Sequence, residues 1–187
     1  MTRRRGRPKK EASSLSRARI LSAAQARLDD PQSQGLSLRV LARDLGVTPM
    51  ALYSHVGGVD DILLGLAERW FEDVPDGEER MDAAALRRHL VWYCERVLAH
   101  AGLTLALVSR TGDLPRPHRA WTGQLCVIVA AVGLPPAWAD ILVDHLHGFA
   151  LSHLAGVGTP AESLAAYGHQ LAVLLQTVIP AQPRAGG

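Results

Sequence analysis

Between Leu36 and Val56 the chain sets two short amphipathic segments on either side of one glycine, an arrangement that few folds accept. In the first, Leu38, Leu41, Ala42 and Leu45 recur at i, i+3, i+4 and i+7 behind Ser37, a good N-cap. Gly46 stops that helix. Thr48-Pro49 opens the second: threonine caps it, and proline at the first helical position loses nothing, because that N–H has no helical partner anyway. Leu41, Ala42, Leu45, Val47, Leu52 and Val56 supply a small shared core, with Ala42 where two closely crossing helices leave room for little more than a methyl group. Such a pair can lay its second helix in the major groove of DNA while the first crosses the backbone. Helical hairpins with a glycine turn also occur in proteins that never meet DNA, so spacing alone leaves both readings open.

The rest of the chain extends the helical pattern. From about Ser16 onward apolar residues recur at helical spacing and alternating runs of Val, Ile and Thr are absent, so the chain reads as all-α with about nine helices. A first helix is expected over about 16–29, ended by Asp29-Asp30-Pro31-Gln32-Ser33-Gln34-Gly35. A fourth follows Gly57-Gly58, with Asp60 and Asp61 in its first turn, where the helix dipole favours acids, and Ile62, Leu63, Leu66, Trp70 and Val74 on its buried face. Pro75-Asp76-Gly77-Glu78-Glu79 reads as a polar hinge between a three-helix helix-turn-helix head at 15–74 and a helical body at 78–180. Body helices are expected near 82–101, 103–110, 117–132, 135–156 and 160–178, with a Gly- and Pro-containing loop from Thr111 to Pro117. Residues 1–14 read as a disordered basic arm, and residues 181–187 as a disordered tail.

Charge is distributed unevenly. The net charge is +2, yet residues 1–10 hold six basic side chains, including both lysines, and no acid. Residues 11–70 set six arginines against seven acids, and residues 71–187 set eight arginines against eleven. A polyanionic partner is therefore implied at the N-terminus alone. No apolar run reaches the roughly 18–20 residues of a membrane span, and no hydrophobic signal segment follows the basic start, so a cytoplasmic protein is expected. Cys94 and Cys126 form neither a metal-spaced cluster nor a disulfide framework, and are expected as reduced thiols within helices.

Enzyme and metal chemistry find little support. His145 and His147 are two apart on a helix and point to different faces; Asp144 with His147 would give only two ligands. No phosphate loop, nucleophile elbow or paired-acid motif is present, so neither a catalytic site nor a cofactor is expected.

Leu41-Ala42, Leu45-Gly46-Val47, Leu52-Tyr53-Ser54-His55 and Ile62-Leu63-Leu64 together resemble the DNA-binding head of the tetracycline-repressor (TetR) family over roughly residues 16–71. The resemblance implies a fold of nine or ten helices with a ligand-binding, dimerising body. It makes Pro49 to His55 the recognition helix, with Met50 and Ala51 facing base edges, where apolar groups can touch thymine methyls. Thr48, Tyr53, Ser54 and His55 become backbone or groove contacts, and Arg39 matches a position that reaches a base or a phosphate. Each of these has a plainer reading: Tyr53 as a closure of the head's core, Arg39 as a solvated charge, His55 as a structural group. Where most of the family places a phosphate-clamping lysine at the start of the fourth helix, this chain has Val59.

The arm is the natural replacement for that lost contact. Arg5-Gly6-Arg7-Pro8 resembles the core of an AT-hook, whose extended Arg-Gly-Arg-Pro strand enters the narrow minor groove of A·T-rich DNA. The alternative is a basic tail that binds phosphates without sequence preference. Either makes DNA binding steeply salt-dependent.

In the body, the resemblance implies that the last two long helices form a four-helix dimer interface. The small stripe Gly148, Ser152, Gly156 and the residues Leu164, Gly168, Leu171 and Leu175 match in place, though both helices could instead fill the protomer's core. An effector pocket is likewise implied. Trp92, Trp121, Trp138 and Phe149 are candidate walls; Gln124, His145, His147 and His153 could orient polar groups. Trp138, Leu142, His145, Phe149 and His153 share one helix face, and a core or interface role is open for each. The expectation is a homodimeric repressor, released from a palindromic DNA operator by a largely apolar small molecule. The alternatives are a DNA-binding regulator without small-molecule control, and a helical enzyme or binding module that has lost DNA contact.

Overall fold

The structure, a computed structural model, describes residues 15–30, 32–33, 35–72, 74, 80–108, 116–154 and 159–179. Among these residues there are nine α-helices and no strand. Arg5 and Arg7 of the arm, the 75–79 hinge, the 111–115 part of the loop, Gly156 and the 181–187 tail lie outside the described residues.

The segment expected to be a three-helix head, 15–74, contains four helices: α1 (Arg17–Leu28), α2 (Leu38–Leu45), α3 (Pro49–Tyr53) and α4 (Val59–Trp70). The starts of α2 and α3 are set by the residues that sequence reasoning singles out. Ser37 accepts a hydrogen bond from the Val40 N–H at 3.3 Å, and Thr48 accepts one from Ala51 at the same distance. Gly46 ends α2 with φ +69°, a left-handed conformation that a residue with a Cβ adopts only under strain. Ile20 and Ala24 of α1, Leu41 and Ala42 of α2, Leu52, Val56 and Ile62 are all buried, so each short helix is held by its apolar stripe. Helices this short are marginal in water without such packing.

The body contains α5 (Ala83–Ala99), α6 (Ala101–Val108), α7 (Arg116–Ala131), α8 (Trp138–Leu154) and α9 (Pro160–Val178). Helix α5 is the axle, packed against α9, α8 and α7, and it buries Leu86, Leu90, Tyr93, Cys94 and Val97. Cys94 and Cys126 are free thiols, the first buried and the second half-buried. Thr159 and Glu162 form a reciprocal capping box that starts α9.

Head and body share one hydrophobic cluster. Helix α4 packs against α1 of the head and against α6 and α7 of the body. Helix α6 starts against the end of α1 so closely that a Cβ on Gly102 would lie 1.9 Å from the Leu28 carbonyl oxygen. Only glycine allows that backbone approach.

Candidate nucleic-acid interface and body cavity

Helix α3 presents one face to the core and the other to solvent. Leu52 is fully buried, whereas Met50 is 73% exposed and Tyr53 54% exposed. Thr48, Pro49 and Ser54 are also exposed, and Ala51 and His55 are half-buried. Tyr53 therefore does not close the core: its side chain is exposed, as is that of Met50. Arg39 on α2 is exposed, and among the described residues it has no ion-pair partner.

The other arginines of the head are largely committed elsewhere. Arg17 grips Asp61 through two parallel hydrogen bonds of 2.7 and 2.8 Å, and its guanidinium also donates to the backbone oxygens of Asp61 and His55. Asp61 accepts a further bond from the Gly57 N–H at 2.8 Å. The Arg17 hydrogen bond, then the Gly57 amide, holds the Asp61 carboxyl below its ordinary range; the same contact raises Arg17. This clasp fixes the turn after α3 to the start of α1. Sequence reasoning missed it, because Asp61 has a sufficient local explanation at the α4 N-terminus and Arg17 is 44 residues away. Arg27 is tied to the Gly35 carbonyl at 2.9 Å and to Asp44 at 3.0 Å. Val59, in place of the family's lysine, is half-buried and packs on the core. A folded head of this kind offers little free positive charge.

The body holds a cavity of about 220 Å³, walled by the far end of α4 (Ala67, Trp70, Phe71), Tyr93 of α5, Thr104 and Leu107 of α6, His118 of α7, and Val143, Asp144 and His147 of α8. Phe71 stands edge-on to His118 at 5.2 Å between centroids, and Tyr93 lies 6.4 Å from His118. The Tyr93 hydroxyl and His147 Nε2 are 3.1 Å apart. Burial pulls His118 down to about 4, helped by the neighbouring His147, and burial also lowers His147 against the opposing pull of Asp144. Burial pushes the Tyr93 phenol up to about 12. Near neutrality both imidazoles are uncharged and the phenol keeps its proton.

Of the eight residues the sequence pointed to, the cavity wall contains one, His147. Trp121 is buried one layer behind, stacked on His89 at 5.4 Å and against Tyr93 at 4.4 Å. Trp92 is half-buried under the Arg96 guanidinium, 4.0 Å above its ring. Phe149 is buried against Tyr167 and stacks on His153, while His145 faces Tyr167 from 6.1 Å. Gln124 and Trp138 are half-buried and do not line the cavity. The helix face chosen on α8 turns toward α9, whereas the opposite side, with Val143, Asp144 and His147, meets the cavity. Of the polar candidates only His147 lines it. Trp70, Phe71 and His118 were missed. The usable signal was the apolar stripe of α4, which runs past the point where the small head needs it.

A similar inversion holds on α9. Gly168, Leu171 and Leu175 are buried within the protomer and Leu164 is half-buried, because this stripe seals α9 against α5. They are not a free surface for a second copy. Gly148 and Ser152 on α8 are exposed, beside Ile141 at 48% exposure; on α9 the solvent side carries Ala165, His169 and Val173. The most apolar stripe of a sequence marks the face buried first, which in α9 is intramolecular.

Among the described residues, no group of three or more His, Cys, Asp or Glu is placed to hold a metal ion, and no helix is long and apolar enough to cross a membrane.

No protein-family model and no curated protein matches the chain. Solved structures do. BioQ of Mycobacterium smegmatis is 23% identical, with 87% of this chain and 97% of that one covered and a TM-score of 0.66. BioQ with its natural double-stranded DNA operator is 22% identical over 88% and 99% of the two chains, with a TM-score of 0.64. The TetR family protein ActR of Streptomyces coelicolor, in complex with (S)-DNPA, is 23% identical over 91% and 90%, with a TM-score of 0.62. The chain has the fold of TetR family regulators.

Proposed function

We propose that the chain is a ligand-responsive DNA-binding transcriptional regulator of the cytoplasm, acting as a homodimeric repressor released from a palindromic operator by a small molecule. The observation that carries this reading is helix α4: it follows the exposed α3 across the Gly57-Gly58 turn and ends in the wall of the body cavity. The operator complex of BioQ and the ligand complex of ActR support the two halves of the reading by analogy of fold.

In this account Thr48, Pro49, Met50, Ala51, Tyr53, Ser54 and His55 meet the groove and its backbone, and Arg39 reaches a base or phosphate. The arm with Arg5 and Arg7 supplies the electrostatic affinity that the ion-paired head does not. Two copies join through the outward sides of α8 and α9, including Ile141, Gly148, Ser152 and Val173. A ligand pressing on Trp70 and Phe71 shifts α4 and with it the separation of the two α3 helices. Half-sites lie about 34–36 Å apart, so a displacement of a few ångström prevents both heads from engaging together. The open cavity counts against a regulator without small-molecule control. A gel shift with a DNA sequence selected from a random pool tests the reading, with and without residues 1–14 and with and without a cavity ligand. Equal affinity of the free and liganded dimer would reject release, and no binding at low ionic strength would reject DNA recognition altogether.

A further inference from the structure

Among the described residues, the cavity lining holds five rings and a single ionic group. Trp70, Phe71, Tyr93, His118 and His147 surround it, and among the lining residues only Asp144 is charged near neutrality, since burial keeps both imidazoles neutral. Asp144 is exposed, and among the described residues it has no ion-pair partner. Among the described residues, no Lys or Arg lines the cavity. An anion entering here would meet a carboxylate and no compensating cation. A cation would meet that carboxylate together with aromatic rings, whose π-faces attract cations.

We propose that the cavity takes a monovalent organic cation, a quaternary or protonated amine on an apolar body. Its charge sits beside Asp144 and its apolar part against Trp70, Phe71 and Tyr93. As an assignment of the effector this rests on the regulator reading, whereas occupancy of the cavity does not. Asp144 selects the sign of charge, and the rings select a weakly hydrated cation over a metal ion or a small hydrated amine.

The full chain titrated with phenyltrimethylammonium, tert-butylbenzene and benzenesulfonate compares a cation, a neutral molecule and an anion of similar shape, read by tryptophan fluorescence and by calorimetry. Phenyltrimethylammonium is expected to bind about tenfold or more tightly than the neutral probe, and the sulfonate not at all. Asp144→Asn, at an exposed position, is expected to weaken the cation about tenfold and leave tert-butylbenzene unchanged. Equal or tighter binding of the neutral probe, preference for the sulfonate, or no binding of the cation at millimolar concentration overturns the proposal. Binding to a random duplex pool, measured in parallel, separates the two readings. A chain that takes the cation but no DNA loses only the regulator assignment, and one that takes DNA but not the cation loses only this one.

Discussion

In the head, Met50 and Tyr53 stand in solvent on a five-residue helix; between the end of α4 and the body helices, five rings line a cavity of about 220 Å³. The first surface is made by neighbours in sequence, between the cap at Thr48 and the turn at Gly57. The second draws on α4, α5, α6, α7 and α8 at once. A contiguous recognition element tolerates change in the rest of the chain, because one cap and a few buried residues hold it. A cavity assembled from five helices depends on every packing decision among them.

Removing a core residue of the head should have the largest effect on stability. Leu52 is fully buried beneath α3, so Leu52→Ala is expected to destabilise by about 3 kcal/mol. Met50→Ala, two residues away on the solvent side, should stay within about 0.5 kcal/mol. Urea denaturation of the two variants checks the pair; equal losses would erase the distinction between the inner and outer sides of α3. At the junction, Gly102→Ala forces a methyl group into the Leu28 backbone and is expected to destabilise by about 2 kcal/mol. Its test is the same denaturation, together with amide exchange at the end of α1, and an unperturbed α1 would contradict the contact.

Acid should weaken the body. His118 is held near 4 when folded, against about 6.5 for a free imidazole, so the unfolded chain binds more protons between these values. The stabilisation is fully present above pH 6.5 and is lost as pH falls toward 4; by pH 5 the loss is on the order of 2 kcal/mol. His147 is lowered as well and acts in the same direction. His118→Phe should flatten the decline, and a variant with the unchanged pH profile would contradict the buried, neutral ring. The smallest effect belongs to the clasp. Both partners are well exposed, so Asp61→Asn should destabilise by only about 1 kcal/mol. Because the folded Asp61 carboxyl titrates below its usual value, its contribution is present above pH 4 and disappears as pH falls through the depressed folded value. A pH titration of the two proteins that converges toward low pH is the expected result.

The helices of the described residues were legible because helical period, caps and breakers act over a few residues, whereas the outward placement of Met50 and Tyr53 came only from the family resemblance. Ser37, Gly46 and Thr48-Pro49 each do in the structure what their chemistry dictates. The cavity was not legible. Which side of α8 faces a void depends on where α4 and α5 lie, and the conspicuous tryptophans misled, since a large ring is more often the filling of a core than the lining of a hole. Trp121 and Phe149 fill; Trp70 and Phe71, at the end of a helix read as part of the head, line. The buried stripe of α9 misled in the same way, its apolar character being used up inside the protomer.

Fluorescence anisotropy with a selected duplex tests the central claim most directly, comparing the unchanged chain, Met50→Ala and Tyr53→Ala at low ionic strength. The account predicts tight binding by the first and a loss of at least tenfold by each variant, with unchanged unfolding midpoints. Undiminished binding by both variants, or no binding by the unchanged chain, would contradict it.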